Sequence, residues 1–85
     1  TAPELDDAEL DSVLEALLLV VDTPVTVDAL ASATDQTPGR VAERLHVLAS
    51  GWAVRDSGID LREAAGGWRM YTRPKYAPYV EKLLL

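Results

Sequence analysis

The spacing of apolar residues changes once along this chain, near Gly58. Upstream, they recur at intervals of three and four, the period of an α-helix, whereas Ile59 and Leu61 alternate with Asp60 and Arg62, the period of a β-strand. The chain therefore begins with helices and continues into strands beyond Gly58. With 85 residues, 48% of them hydrophobic and none of them cysteine, it is long enough for one domain with its own core and has no disulfide framework.

Three helices are predicted upstream of Gly58. Each begins at a residue suited to an N-cap, namely Asp6, Thr26 and Thr37. The first ends near residue 22, because Pro24 disfavours helical geometry before it; the second covers residues 27–33, and the third runs to about residue 55. The predicted core-facing stripes are Leu10, Val13, Leu14, Leu17 and Val21, then Val27, Leu30 and Ala31, then Val41, Leu45, Leu48 and Trp52.

A β-hairpin and a short helix are predicted downstream. The strands begin at Ile59 and Trp68 and are joined by a turn at Gly66-Gly67, and residues 78–84 form the last helix. Three helices followed by a hairpin is the arrangement of an α+β winged helix-turn-helix domain. We expect one such domain over residues 1–85, with residues 1–5 as a loose arm.

Nothing in the sequence supports an enzyme or a metal site. His46 is the only histidine and has no cysteine or second histidine to assist it, so we interpret it as structural or simply exposed. Acidic residues at the start of the first helix are explained by capping and by the helix dipole. We therefore expect no catalytic, cofactor-binding or metal-binding residues. No apolar run approaches the about 20 residues needed to cross a bilayer.

Charge distribution leans against DNA binding. The net charge is −6, and no Lys or Arg precedes Arg40. A helix-turn-helix protein could still contact phosphates through the third helix and the hairpin. The arginines available for this alternative are Arg40, Arg44, Arg62, Arg69 and Arg73.

Protein interaction is favoured by the outward side of the first helix. If Leu10 lies at zero on a helical wheel, Leu19 falls at about 180°, Ala16 at about 240° and Val20 at about 280°. An amphipathic helix gains little from apolar residues at its back. Either the tail over residues 79–85 covers them, or a partner does; we favour the partner.

The second strand carries another candidate contact residue. Trp68 and Tyr71 are an odd number of residues apart, so their side chains point to opposite sides of the hairpin. Met70 is in phase with Trp68, which predicts that Trp68 is buried. Tyr71 is then the exposed aromatic, flanked by Arg69 and Arg73, and is either a contact residue or simply covered by arginine stems.

Residues 58–76 resemble the wing of a known family. Their sequence, GIDLREAAGGWRMYTRPKY, is similar to the pattern G-I-E-L-x-E-V-A-G-G-Y/W-R-L-x-T-x-P-E-Y of segregation and condensation protein B. Upstream, residues 14–20 (LEALLLV) resemble that family's first helix, L-E-A-L-L-F-V, and Pro24-Val25 and Leu30-Ala31 match its second-helix region. The departures are small: Asp60, Ala64 and Lys75 replace Glu, Val and Glu.

The resemblance implies a function that composition and periodicity do not. Members of this family are non-enzymatic accessory subunits of the bacterial Smc–kleisin condensin complex, which condenses and segregates chromosomes. They form homodimers, largely through their first winged-helix module, and bind the kleisin subunit, segregation and condensation protein A, and through it Smc. The resemblance thus implies a cytoplasmic, nucleoid-associated protein, of which this chain is the first module without the second. The alternative is a winged-helix DNA-binding transcriptional regulator.

Overall fold

The computed structural model describes residues 4–85 as three helices, a β-hairpin and a C-terminal helix. The elements are α1 (Asp7–Val20), α2 (Val27–Thr34), α3 (Pro38–Val54), β1 (Ile59–Ala64), β2 (Gly67–Thr72), a 3₁₀ turn (Pro74–Tyr76) and α4 (Ala77–Leu84). The predicted α+β winged helix-turn-helix fold is confirmed.

All three predicted N-caps are present. The side chain of Asp6 accepts a hydrogen bond from the backbone N–H of Glu9 at 2.8 Å, and that of Thr26 accepts one from Ala29 at 3.1 Å. Thr37 accepts a bond from the backbone N–H three residues later, at 3.3 Å. These caps satisfy donors that the first helical turn leaves unpaired, and so fix where each helix begins.

The core lies between the three helices and the inner face of the hairpin. Its buried side chains are Leu10, Leu14, Leu18, Leu30, Ala31, Val41, Leu45, Trp52, Leu61 and Trp68. Leu18 was absent from the predicted stripe, whereas Val21 was included and is only half-buried. Val21 is not part of the stripe because α1 ends at Val20 and the backbone of Val21 is extended. Leu18 is buried because the side of α1 that faces the core lies about 40° from the predicted stripe.

The hairpin turn lies one residue earlier than predicted. Ala65 and Gly66 form it, with φ of 52° and 78°, and Gly67 already pairs with Ala64 in the antiparallel register. Two successive positive φ angles make a two-residue loop whose twist matches that of the strands. The prediction of a Gly66-Gly67 turn is therefore wrong.

Gly67 is instead required by the close approach of another segment. Val25 and Trp68 form an isolated antiparallel bridge, with N–O distances of 2.9 and 2.7 Å, which attaches the loop after α1 to the edge of the hairpin, the wing of this domain. A Cβ at Gly67 would lie 2.9 Å from backbone atoms of both Pro24 and Val25. The glycine thus allows the loop after α1 to join the hairpin.

The predicted N-terminal arm falls partly outside the described residues, since it includes residues 1–3. Within the part that is described, Glu4 is exposed, but Leu5 packs against the core. The carbonyl oxygen of Leu5 also accepts a hydrogen bond from Arg40 at 2.7 Å. The segment just before α1 is therefore attached to α3.

Candidate protein-interaction surface

The outward side of α1 carries exposed apolar side chains. Leu19 and Val20 are 74% and 76% exposed, and Ala16 is also exposed. All three lie on the side of the helix away from Leu14, as the helical wheel predicts. Their exposure is confirmed, whereas their role as an interface remains a prediction.

The C-terminal tail does not cover this surface in the part of the chain that is described. No residue of α4 is buried, and Leu83 and Leu84 are 86% and 77% exposed. Folding of the tail over the back of α1, the intramolecular alternative, is therefore wrong. Two apolar surfaces are left in water, one on α1 and one on α4.

A shallow groove of about 210 Å³ lies beside Leu19. We call it the α1–wing groove, and it is lined by Glu15, Leu19, Trp52, Arg55, Ile59 and Met70. Four of its six side chains are apolar, and they come from α1, α3 and both strands. Leu19 lines the groove; Ala16, Val20 and Tyr71 do not.

Sequence reasoning did not find this groove. Trp52 and Met70 were interpreted as core-facing, and Ile59 as a strand position. Each side chain does occupy its expected face, but the groove forms only where the inner edge of the hairpin meets the ends of α1 and α3. The spacing of the sequence assigns a face to each residue, but it does not show how the ends of separate elements meet.

Ion pairs join the first half of α1 to the first half of α3. The guanidinium of Arg44 binds both carboxylate oxygens of Asp11, at 2.8 and 2.7 Å, and reaches Asp7 at 3.4 Å. Arg40 also contacts Asp7, at 3.1 Å, and donates to Gln36 at 2.6 Å. The hydrogen bond from Arg44 to Asp11 is the main cause that raises the pKa of the guanidinium above its usual range.

The contacts follow the same order along both helices, so α1 and α3 run side by side in one direction. Asp7 and Asp11 meet Arg40 and Arg44, and one turn further along α1 Glu15 meets the groove. Arg55 lines the same groove from the end of α3. Among residues 4–85 no ion pair joins Glu15 to Arg55, so the groove begins where this series of ion pairs ends.

Tyr71 lies on the outward side of the wing. The guanidinium of Arg62 is 4.1 Å from the centre of its ring, and that of Arg69 is 5.5 Å away. Trp68 is buried, as predicted. Tyr71 lies opposite Asp60 in the register and Arg62 opposite Arg69, so these four side chains share one face. Arg69 lies beside the ring as predicted, whereas Arg73 contacts Asp60, the residue opposite Tyr71.

Arg73 binds backbone and carboxylate oxygens at the end of β2. Its side chain donates to the backbone oxygens of Ser57 and Ile59 and lies 3.6 Å from a carboxylate oxygen of Asp60. Its own N–H donates to the oxygen of Gly58 at 3.0 Å. Arg73 therefore fixes the point where the chain leaves the sheet toward α4.

His46 and the acidic side chains are the remaining candidates for chemistry in the described residues. His46 is exposed, and its ring packs edge-on against Trp68 with the ring centres 5.0 Å apart. Within residues 4–85, no three His, Asp or Glu side chains form a group that could hold a metal ion. No helix in that range is long and apolar enough to cross a membrane.

Solved structures show where this arrangement occurs. ScpB from Mycobacterium tuberculosis matches 96% of this chain with a TM-score of 0.94 and 65% identity, over 51% of its own chain. A dimer of an ScpB N-terminal domain complexed with a ScpA peptide matches 86% of this chain and 91% of its own, with a TM-score of 0.80. At 24% identity, the second likeness shows the fold.

Sequence comparison agrees. Segregation and condensation protein B of Moorella thermoacetica is 43% identical over 88% of this chain and 38% of its own length, and that of Syntrophotalea carbinolica is 38% identical over 93% and 40%. The chain thus spans about two-fifths of these curated relatives. The family model for the segregation and condensation complex subunit ScpB matches residues 12–85. With nearly the whole chain matched, it belongs to the ScpB family.

Proposed function

We propose that this chain is a dimerisation and kleisin-binding module of an accessory subunit of the bacterial Smc–kleisin condensin complex. It acts in the cytoplasm, on the nucleoid, in chromosome condensation and segregation, by binding rather than by catalysis. The observation that carries the proposal is the apolar surface around Leu19, which no described part of the same chain covers.

Self-association is supported by the energetics of that surface. Moving a Leu or Val side chain from water into an interface contributes about 1.5–3 kcal/mol. Leu19 and Val20 are largely exposed, and the apolar lining of the α1–wing groove adjoins Leu19. A second copy of the chain offers the same surface, as a two-fold interface requires.

Kleisin binding is supported by a second, chemically different surface on the wing. Tyr71 presents an aromatic face with two guanidinium groups beside it, that of Arg62, which is also paired with Asp60 at 3.2 Å, and that of Arg69. Tyrosine and arginine are enriched at the centres of interfaces, and such a pair suits a segment of the partner that carries acidic residues. The N-terminal domain solved as a dimer with a ScpA peptide has the same fold, which in that protein carries both contacts.

Substitution of Leu19 tests the dimer. Leu19→Asp places a charge in the proposed interface and should shift the chain from dimer toward monomer in sedimentation velocity. The helical circular dichroism spectrum should stay intact, because Leu19 is outside the core. Val47→Asp, an exposed position on α3, is the matched control and should leave the dimer unchanged. A Leu19→Asp chain that remains dimeric would contradict this interface.

Tyr71→Ala tests the second surface. A labelled kleisin fragment should bind this variant at least about tenfold more weakly than the unchanged chain, as expected for the loss of an aromatic anchor. The dimer should persist in sedimentation. If the kleisin fragment binds this variant with unchanged affinity, the kleisin contact lies on another surface.

DNA binding by a transcriptional regulator is not favoured by any feature of the described residues. Arg40 and Arg44, the arginines of the helix that would enter the major groove, are engaged by acidic side chains of α1. Arg73 is engaged by backbone oxygens. Only Arg62 and Arg69 of the five candidates face outward beside Tyr71, which is too few for a basic stripe.

A further inference from the structure

The apolar side of α4 is exposed to solvent. The side chains of Tyr79, Leu83 and Leu84 are 74%, 86% and 77% exposed, and Val80 lies on the same side of the helix. On a helical wheel these four side chains span an arc of about 140°. A short helix with such a stripe gains its stability from packing against something else.

The two charges of α4 lie on either side of that stripe. Glu81 and Lys82 each fall about 130° from its centre, in opposite directions. The α1–wing groove has a matching composition, with four apolar side chains and one charge of each sign, Glu15 and Arg55. Neither of those two charges is paired among the described residues, so each is available to an opposite charge.

The base of α4 is fixed beside the groove of its own chain. Arg73 holds the exit from β2 against Ser57 and Ile59, and Ile59 also lines the groove. From this base α4 extends away, and none of its residues is buried. One chain thus carries a protruding helix and an open groove side by side, which is the arrangement that lets a two-fold axis place each helix in the other chain's groove.

We propose that α4 of each chain docks in the α1–wing groove of a second copy, with Leu83 and Leu84 against Leu19 and Met70. Glu81 then pairs with Arg55 of the partner, and Lys82 with Glu15. The inference rests on the proposed self-association and specifies how it is achieved. It makes α4 part of the interface and makes the dimer a reciprocal exchange.

Cross-linking of single-cysteine chains tests the exchange directly, since the native chain has no cysteine. Chains with Leu84→Cys and chains with Ile59→Cys are mixed and treated with a short bismaleimide. The proposal predicts a mixed cross-linked dimer as the main product. Leu84→Cys mixed with Asp28→Cys, an exposed position on α2, is the control and should give only background.

The outcomes separate this inference from the proposed function. If the chains sediment as dimers but Leu84→Cys and Ile59→Cys do not cross-link above the control, the exchange is overturned while the dimer stands. If the chains sediment only as monomers, both fail.

Charge reversal provides a second readout. Arg55→Glu and Glu81→Arg should each raise the Kd of self-association about threefold to tenfold, and the double variant should recover most of the loss. A double variant as weak as the two single variants together would contradict the pairing of Glu81 with Arg55, and with it the proposed seating of α4.

Discussion

Arg44 of α3 binds Asp11 of α1 through two parallel hydrogen bonds, Nε to Oδ1 at 2.8 Å and Nη2 to Oδ2 at 2.7 Å. Both side chains are shielded, with 14% and 19% of their surfaces exposed. The planar guanidinium matches the two carboxylate oxygens in a way that an ammonium cannot. The pair therefore fixes α3, the helix that would contact DNA in a regulator, against the acidic face of α1.

Replacing Arg44 should show how much the bidentate geometry contributes to the thermal stability of the domain. Arg44→Lys keeps the charge but loses the bidentate contact, so we expect a lower Tm; Arg44→Ala should lower it further, because it leaves Asp11 without its partner. Thermal unfolding followed by circular dichroism measures both. A Tm for Arg44→Lys equal to that of the unchanged chain would mean that the charge alone suffices.

The pH dependence of this effect follows from the raised pKa of Arg44. A base whose pKa is raised by folding stabilises the fold below its unfolded pKa, and the stabilisation is lost only as the pH rises through the folded value. For arginine both pKa values lie far above the physiological range. The difference in Tm between the unchanged chain and Arg44→Lys should therefore be constant from about pH 6 to about pH 9.

Gly67→Ala should destabilise the domain although the change is one methyl group. Its Cβ would lie 2.9 Å from backbone atoms of the Pro24–Val25 segment, and the bridge between Val25 and Trp68 leaves that segment little room to move. We expect a loss of about 1–3 kcal/mol in the free energy of unfolding. Urea denaturation measures it.

Gly51→Ala is the matched control for that substitution. Gly51 lies inside α3, and a Cβ there would meet nothing within 4 Å. Since alanine is the better helix former, the same change should stabilise the chain by about 0.5–1 kcal/mol. Two Gly→Ala substitutions with the same sign and size would show that close approach at Gly67 is not what matters.

The sequence predicts the elements of this fold better than it predicts where their ends meet. Caps and periodicity are local, so Asp6, Thr26 and Thr37 were placed correctly from the residues around them. The predicted turn is one residue too late because the two glycines are needed for different reasons. Gly66 adopts a positive φ, which a turn pattern predicts, whereas Gly67 is needed for close packing against a distant segment, which a local pattern does not show. The groove beside Leu19 was missed because its lining comes from four separate elements.

Ala65 offers a stabilising change at the same turn. It has a φ of 52°, in the left-handed region that Asn tolerates better than Ala. Ala65→Asn produces the Asn-Gly pair preferred in two-residue hairpin loops and should stabilise the chain by up to about 1 kcal/mol. Ala65→Val, with a β-branched side chain at positive φ, should destabilise it. Urea denaturation of the two variants should therefore shift the midpoint in opposite directions.

Weak DNA binding is expected, and its cause can be tested by releasing the arginines. Fluorescence anisotropy of a labelled random duplex should show no saturable binding at about 200 mM salt and little at about 50 mM, where phosphate contacts are strongest. In the double variant Asp7→Asn with Asp11→Asn, Arg40 and Arg44 lose their carboxylate partners and two negative charges are removed, so affinity at low salt should rise. Ser12→Asn, an exposed uncharged change on α1, is the control and should not alter binding. Tight, salt-sensitive binding by the unchanged chain, lost in Arg40→Gln, would instead favour the regulator, because it would require these arginines to leave α1 for phosphate.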